Sequence, residues 1–338
     1  MKAYVLYGIN DLCYEEIDYP ECPSGWVVVK VKAAGICSSD IPRIFTKGTY
    51  HFPTIPGHEF SGIVDSVADE KNKGLIGKRV GVFPLIPCKE CEQCKSNHYE
   101  MCVNYDYIGS RRDGAFAEYV AVPVWNLIEL PDTIDFTEAA MLEPLAVAIH
   151  AVKLADVKEK TVAVIGTGMI GIAAAQIVRA CGAKSVTVIG RNEEKRALVE
   201  NNGLEYIIQN SRDESSEYDV VLEAVGSQQA IDLAINCTIA GGKIVVLGNP
   251  EGDIQLSQNT YWKILRRQLV MCGTWNFSYE YKKKSDWTEA IDVLVEEGIN
   301  AKSLISHVLK QEELVEGLCM MKEHKETYCK VMMLWNDK

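Results

Sequence analysis

Apolar positions in the first 147 residues come in short branched runs, Trp26–Val31 and Gly62–Val67 among them, broken by Pro53, Pro56, Gly57, Gly77 and Pro84. Runs of this kind, punctuated by turn formers, predict a β-rich unit with few helices. From 148 to about 275 the pattern changes. Thr161–Ile165, Ser185–Ile189, Glu205–Ile208, Asp219–Leu222, Lys243–Leu247 and Gln268–Met271 are short apolar runs separated by helical stretches, one of them charged over 193–201. Continuous branched strands alternating with helices predict a doubly wound parallel sheet buried on both faces. After 276 come two amphipathic helices, at 286–297 and 312–322, and a last apolar run, Lys330–Leu334. A tail of about 60 residues is small for a domain. It reads as a return to the first unit, so the expected organisation is 1–147, an inserted 148–275, and 276–338.

The uncharged stretch Thr161–Val178 is shorter than the roughly 20 apolar residues a spanning helix needs. It contains Gly166, Gly168 and Gly171. Gly166-Thr167-Gly168-Met169-Ile170-Gly171 fits G-x-G-x-x-G after a predicted strand and before a predicted helix. In that context the first glycine permits a tight turn, the second lets backbone approach a pyrophosphate, and the third lets helix pack on strand. NAD binders carry an acid at the end of the next strand for the ribose 2′-hydroxyl. Here Gly190-Arg191-Asn192 stands in its place. Arg191, with Arg196 a turn further on, can meet a 2′-phosphate, so NADP(H) is favoured over NAD(H). On this reading Gly190→Asp should shift preference toward NAD.

Composition narrows the function class. The chain has 338 residues, 35 Lys plus Arg against 47 Asp plus Glu, and a net charge of −12. Such a surface repels nucleic acid and anionic membrane. Twelve cysteines are the outlying count. Disulfide frameworks belong to short secreted chains, and the opening residues lack the apolar core of a signal peptide. A cytosolic chain with reduced thiols is expected, and clustered cysteines there read as a metal or catalytic site. Cys88, Cys91, Cys94 and Cys102 fall within fifteen positions. Four thiolates at such spacing can close a tetrahedral shell around zinc, which leaves no position for chemistry. The site is expected to be structural, pinning a lobe over about 86–104.

A second set is weaker on residues alone. Cys37, the pair His58-Glu59, and Glu143 make a mixed set that could leave a zinc position open. Yet a lone cysteine is commonly core and a His-Glu pair commonly surface. Taken with their order, the motifs resemble the zinc-dependent medium-chain alcohol and polyol dehydrogenases. The matching stretches are Gly35-Ile36-Cys37-Ser38-Ser39-Asp40, Gly57-His58-Glu59, Gly77-Lys78-Arg79-Val80, the four cysteines, Gly114–Tyr119, Glu143-Pro144 and the glycine loop.

The resemblance implies a Rossmann domain inserted in a GroES-like catalytic domain. It implies two zinc ions per chain and a nicotinamide cofactor, in a dimer or tetramer. Cys37 and His58 are then catalytic zinc ligands, and Glu59 and Glu143 bind the metal directly or through its water. Ser39 takes the place of the hydroxyl that carries away the substrate proton. Pro42 stands where many relatives have a relay histidine. The implied substrate is a polyol or polyol phosphate oxidised at a secondary alcohol, with galactitol 1-phosphate giving tagatose 6-phosphate as the leading pair. Sorbitol or iditol, arabitol phosphate and threonine are alternatives. A phosphorylated substrate on an anionic protein needs local cations. Arg43, Arg111 and Arg112 are candidates, equally readable as surface ion pairs, and Trp275 and Asn276 are candidate lining residues. A non-catalytic zinc module for protein interaction is the reading from another class. It predicts one zinc and no nicotinamide binding.

Overall fold

The computed structural model describes residues 1–211, 217–296 and 299–336. It divides into two units, Met1–Glu143 with Ser278–Val295 and Ile305–Lys338, and Pro144–Phe277 with Glu296–Leu304.

The first unit is built on a seven-stranded sheet. Its central strand, Trp26–Ile36, pairs antiparallel with Glu59–Val67, Tyr119–Pro123 and Lys330–Leu334. Val27, Val29 and Val31 bury one face in a core with Phe60, Val80, Val82, Val120, Val122, Val331 and Met333. The last strand therefore supplies core as well as pairing, which is why the tail returns to this unit. Segment 278–295 is held by aromatics. Tyr279 stacks on Phe83 at 4.5 Å between centroids, and its hydroxyl donates to the carbonyls of Trp125 (2.9 Å) and Leu127 (2.7 Å).

The second unit contains a six-stranded parallel sheet in the order Glu205–Ile208, Ser185–Gly190, Thr161–Ile165, Tyr218–Glu223, Thr238–Val246, Val270–Gly273. The order reverses between Thr161–Ile165 and Tyr218–Glu223, and such a switch point opens a crevice at the strand ends. Val162, Ala163 and Val164 are fully buried, as a two-faced parallel strand requires. The uncharged stretch resolves into that strand, the glycine turn and the helix Met169–Ala180. Among the described residues no helix is long and apolar enough to cross a membrane.

One boundary differs from expectation. Residues 296–304 belong to the second unit, although the tail from 276 was assigned to the first. Asn300 N–H donates to Gln176 Oε1 (2.8 Å), Ser303 Oγ to Asn202 Oδ1 (2.6 Å), and Ile299 and Ala301 are buried. The helix expected at 286–297 runs over Asp286–Val295, and position 297 lies outside the described residues.

Candidate functional site

Because Trp26–Ile36 is antiparallel to its neighbours, its C-terminal end meets the starts of Glu59–Val67 and Lys330–Leu334. Gly35 pairs with Glu59 and Ile36 with Val331. This register gathers Cys37, His58, Glu59 and Lys330 at one end of three strands. One ligand atom each from Cys37, His58 and Glu59 lies within 4.8 Å of the others. His58 and Glu59 are buried and Cys37 is half-buried. Ser39 Oγ donates to Cys37 Sγ at 3.3 Å.

Asp40, in the motif but without an expected role, organises the set. Its buried carboxylate accepts from Cys37 N–H (3.0 Å) and Arg43 Nη1 (2.7 Å). It pairs with His58 Nδ1 at 3.5 Å without hydrogen-bond geometry, so that buried nitrogen has the acid beside it but no hydrogen-bond partner among the described residues. Burial alone would raise the Asp40 carboxyl, but the His58 ring and Arg43 hold it below the usual carboxylate range. Burial disfavours a charged His58, yet the Asp40 and Cys37 anions pull its proton affinity well up. The same anionic surroundings favour a metal cation. A thiolate, an imidazole backed by an acid, and a carboxylate fit an open zinc position.

Glu143 stands outside the 4.8 Å set but faces it. It is buried at the start of the helix Leu142–Ala155, and Oε1 accepts from Tyr107 OH at 3.3 Å. Burial pushes its carboxyl up to about 7, with His58 and Lys330 drawing it down and Glu59 adding to the rise. Burial and the Glu143 and Cys37 anions push the Tyr107 hydroxyl well up, so it stays a donor. Sequence reading missed Tyr107 and Lys330. Tyr107 lies outside the motifs that carry the resemblance, and Lys330 reads only as the polar flank of an apolar run.

The four cysteines also converge, one sulfur of each within 4.8 Å of the rest. Cys88 and Cys94 sulfurs are 4.0 Å apart, as are those of Cys91 and Cys102. These spacings suit ligands of one ion, not disulfides, and none of the twelve cysteines is in a disulfide. Backbone N–H groups of Cys94 and Val103 draw the Cys91 thiol down to about 6. Burial pushes Cys94 and Cys102 up. The lobe has little regular structure, a short helix Glu92–Lys95 and a turn at Tyr99–Met101.

The three arginines do not form a cluster of available cations. Arg43 is engaged by Asp40 and Arg112 by Asp106. Among the described residues, Arg111 alone of the three has no carboxylate partner. Its guanidinium lies over the rings of Tyr50 and Tyr105, 4.2 and 4.3 Å from their centroids. Nη1 donates to the Tyr105 carbonyl, and Nε is buried without a partner. Tyr105 in turn contacts Tyr107 edge-on at 6.3 Å, and Tyr107 meets the His58 ring at 5.8 Å. Trp275 and Asn276 lie in the second unit. Trp275 is 60 % exposed, while Asn276 is buried and its Oδ1 accepts from Phe277 N–H.

At the glycine loop, Gly166 has φ +124, and a Cβ at Gly171 would overlap the Gly166 carbonyl. A Cβ at Gly168 would meet nothing, so backbone there is open to a ligand. Met169 and Ile170 open the helix, its N-terminal end directed at that space. At the next strand end, a Cβ at Gly190 would overlap the Tyr206 hydroxyl and Thr167 Cγ2. Tyr206 OH donates to the Asn192 carbonyl at 2.8 Å. Glycine at 190 is thus also a packing requirement, and Gly190→Asp would disturb Tyr206 besides adding charge. Arg191 is exposed. Arg196 is paired with Glu193 and Glu200 and lies over Tyr206, which leaves Arg191 as the available cation.

Comparison with known proteins finds matches among zinc-dependent dehydrogenases. Residues 23–132 match the alcohol dehydrogenase GroES-like domain, and 170–296 match the zinc-binding dehydrogenase domain. Galactitol 1-phosphate 5-dehydrogenase of Escherichia coli K12 is 36 % identical over 293 residues, 83 % of this chain and 84 % of that one. L-threonine 3-dehydrogenase of Chelativorans is 30 % identical over 351 residues, covering 99 % of each. The crystal structure of galactitol-1-phosphate dehydrogenase from Escherichia coli superposes with a TM-score of 0.90 at 32 % identity, over 99 % of this chain and 100 % of that one.

Proposed function

Since the chain belongs to the zinc-dependent medium-chain alcohol dehydrogenases, a family of oxidoreductases, we propose that it oxidises a secondary alcohol of a polyol phosphate to the ketose phosphate. Galactitol 1-phosphate to tagatose 6-phosphate is the leading pair. The observation that carries the substrate class is Arg111, an uncompensated guanidinium oriented by two tyrosine rings and joined through Tyr105 and Tyr107 to the metal set. A fixed fork without an acid partner is suited to phosphate.

Cys37, His58 and Glu59 would hold the catalytic zinc, with Glu143 beside them, and Cys88, Cys91, Cys94 and Cys102 the structural one. Zinc when bound acidifies the alcohol as a Lewis acid, and a nicotinamide cofactor accepts the hydride. Asp40 fixes the Cys37 turn and faces the His58 ring. Ser39 Oγ, next to the Cys37 sulfur and followed back along the chain by exposed Ser38, receives the substrate proton and passes it to solvent. Pro42 has no proton to relay. Gly166 makes the turn, Gly171 lets the helix pack, and Gly168 leaves room for the pyrophosphate, while Arg191 meets a 2′-phosphate. Cysteines outside disulfides fit a cytosolic enzyme. The edge strand Val270–Gly273 pairs on one side only, and Val270 is 51 % exposed with Leu265 and Trp262 exposed on the preceding helix. An unprotected apolar edge supports a homo-oligomer, and the mass in solution decides it.

A panel of free polyols, their phosphates and threonine, each with NAD and NADP, tests the substrate assignment. The expected outcome is a higher kcat/KM for phosphates. In Arg111→Met the KM for the phosphate should rise about tenfold or more, since a charged hydrogen-bonded contact is lost, while turnover of free polyols stays the same. Better turnover of free polyols or threonine by the native enzyme would overturn it.

A further inference from the structure

We propose that His51 is a positioning residue that grips the main chain of Arg111, holds its guanidinium in place for the substrate phosphate, and so sets the preference for phosphorylated over free polyols. The proposal rests on the phosphate reading of Arg111. An arginine side chain loses much rotamer freedom when it binds an anion, so it binds best where other groups already hold it still. Tyr105 shares a loop with Arg111, but Tyr50 reaches the guanidinium from a separate loop. The stack of three groups therefore depends on the register of two loops.

The loops are joined at their base. Asp113 Oδ1 accepts from Ile55 N–H (2.9 Å), and Gly114 N–H donates to the Ile55 carbonyl (2.7 Å). Nearer the tips, His51 Nε2 lies 3.0 Å from the Arg111 carbonyl. A carbonyl only accepts, so Nε2 carries the proton and donates. The other ring nitrogen, Nδ1, lies 3.1 Å from both the Thr54 hydroxyl and the Pro53 carbonyl. The His51 carbonyl accepts from the hydroxyls of Thr49 (2.6 Å) and Thr54 (2.5 Å). Thr54 is fully buried, and its main chain pairs in both directions with Leu6. The imidazole is thus braced on the core through Thr54 and reaches across to the second loop. Two successive residues, Tyr50 and His51, hold one arginine at its two ends, guanidinium and carbonyl. His51 itself is exposed, so its removal should loosen Arg111 while the fold stays intact.

The test is steady-state kinetics with galactitol 1-phosphate and with galactitol, the latter read as substrate or as competitive inhibitor, with melting temperature as the check on folding. In His51→Ala the KM for the phosphate should rise about fivefold, for one hydrogen bond lost, with kcat near the native value and the constants for galactitol unchanged. A role confined to folding would move both compounds together. His51→Gln keeps an N–H that can reach the carbonyl and should stay within about twofold of the native KM. In an Arg111→Met background, His51→Ala should have no further effect on the phosphate, because the two residues act as one unit. An unchanged phosphate KM in His51→Ala, an equal change for galactitol, a His51→Gln variant as impaired as His51→Ala, or the same rise in the Arg111→Met background overturns the proposal. If His51→Ala cannot be prepared, His51→Leu carries the same expectation. An unchanged phosphate KM in Arg111→Met alone would instead refute the reading on which the proposal rests.

Discussion

Single residues divide into those whose type announces their chemistry and those whose partners do. The four clustered cysteines are of the first kind, because four thiols at that spacing suit zinc; Cys37 and His58, ambiguous by type, are picked out by the motifs around them. Asp40, Tyr107 and Lys330 are of the second. An aspartate or lysine in a sequence is ordinarily solvated, and only the register that buries them shows their task. The arginines make the same point in reverse. Arg43, Arg112 and Arg196 looked available, yet each has a carboxylate within a few residues and pairs with it. Arg191 keeps its exposure, and the proposed preference for NADP rests on it. Arg191→Ala should raise the KM for NADP about tenfold, for the loss of a charge-assisted contact, and leave that for NAD nearly unchanged. Steady-state kinetics with both cofactors read this, and an equal rise for both would remove Arg191 from the 2′-phosphate site. It is a cleaner variant than Gly190→Asp, given the crowding by Tyr206.

Among elements, the parallel strands were legible and the catalytic strand was not. Thr161–Ile165 is a continuous branched run closed by glycine, and its observed bounds equal the expected ones. Trp26–Ile36 extends five residues past the expected run, through Lys32-Ala33-Ala34-Gly35, residues of low strand propensity. Pairing on both sides holds them extended, a tertiary effect that no local pattern carries. The same kind of cross-strand tie supports the Rossmann sheet. Asp219 Oδ2 accepts from Thr161 N–H (2.8 Å) and Thr161 Oγ1 (2.7 Å), joining the starts of two parallel strands. These donors hold the Asp219 carboxyl below its usual range. A lowered folded-state value means the stabilisation is complete above the unfolded value of about 4 and is lost as pH falls through the folded one. Asp219→Ala should cost about 2 kcal/mol at neutral pH, and the gap in thermal unfolding should narrow in acid. A gap that widens in acid would contradict this assignment.

For the whole molecule, the alternation of textures predicts an inserted unit over 148–275, and the second unit of the structure takes Pro144–Phe277 with Glu296–Leu304. The stretch 296–304 was misplaced because its attachment is made by side chains, Gln176 to Asn300 and Asn202 to Ser303, not by a periodic pattern. The twelve cysteines separate into a closed set of four, one member of an open set, and seven without a metal partner. A non-catalytic zinc module would need only the closed set, and family membership with the second, open set stands against it. Two metal sites with different duties are the centre of the proposed function, and metal content followed alongside activity during mild chelation tests them most directly. The expected result is that two zincs per chain fall to one as alcohol oxidation is lost, with secondary structure intact and activity regained on adding zinc. Full activity at one zinc per chain, or loss of the fold together with the first zinc, would contradict it.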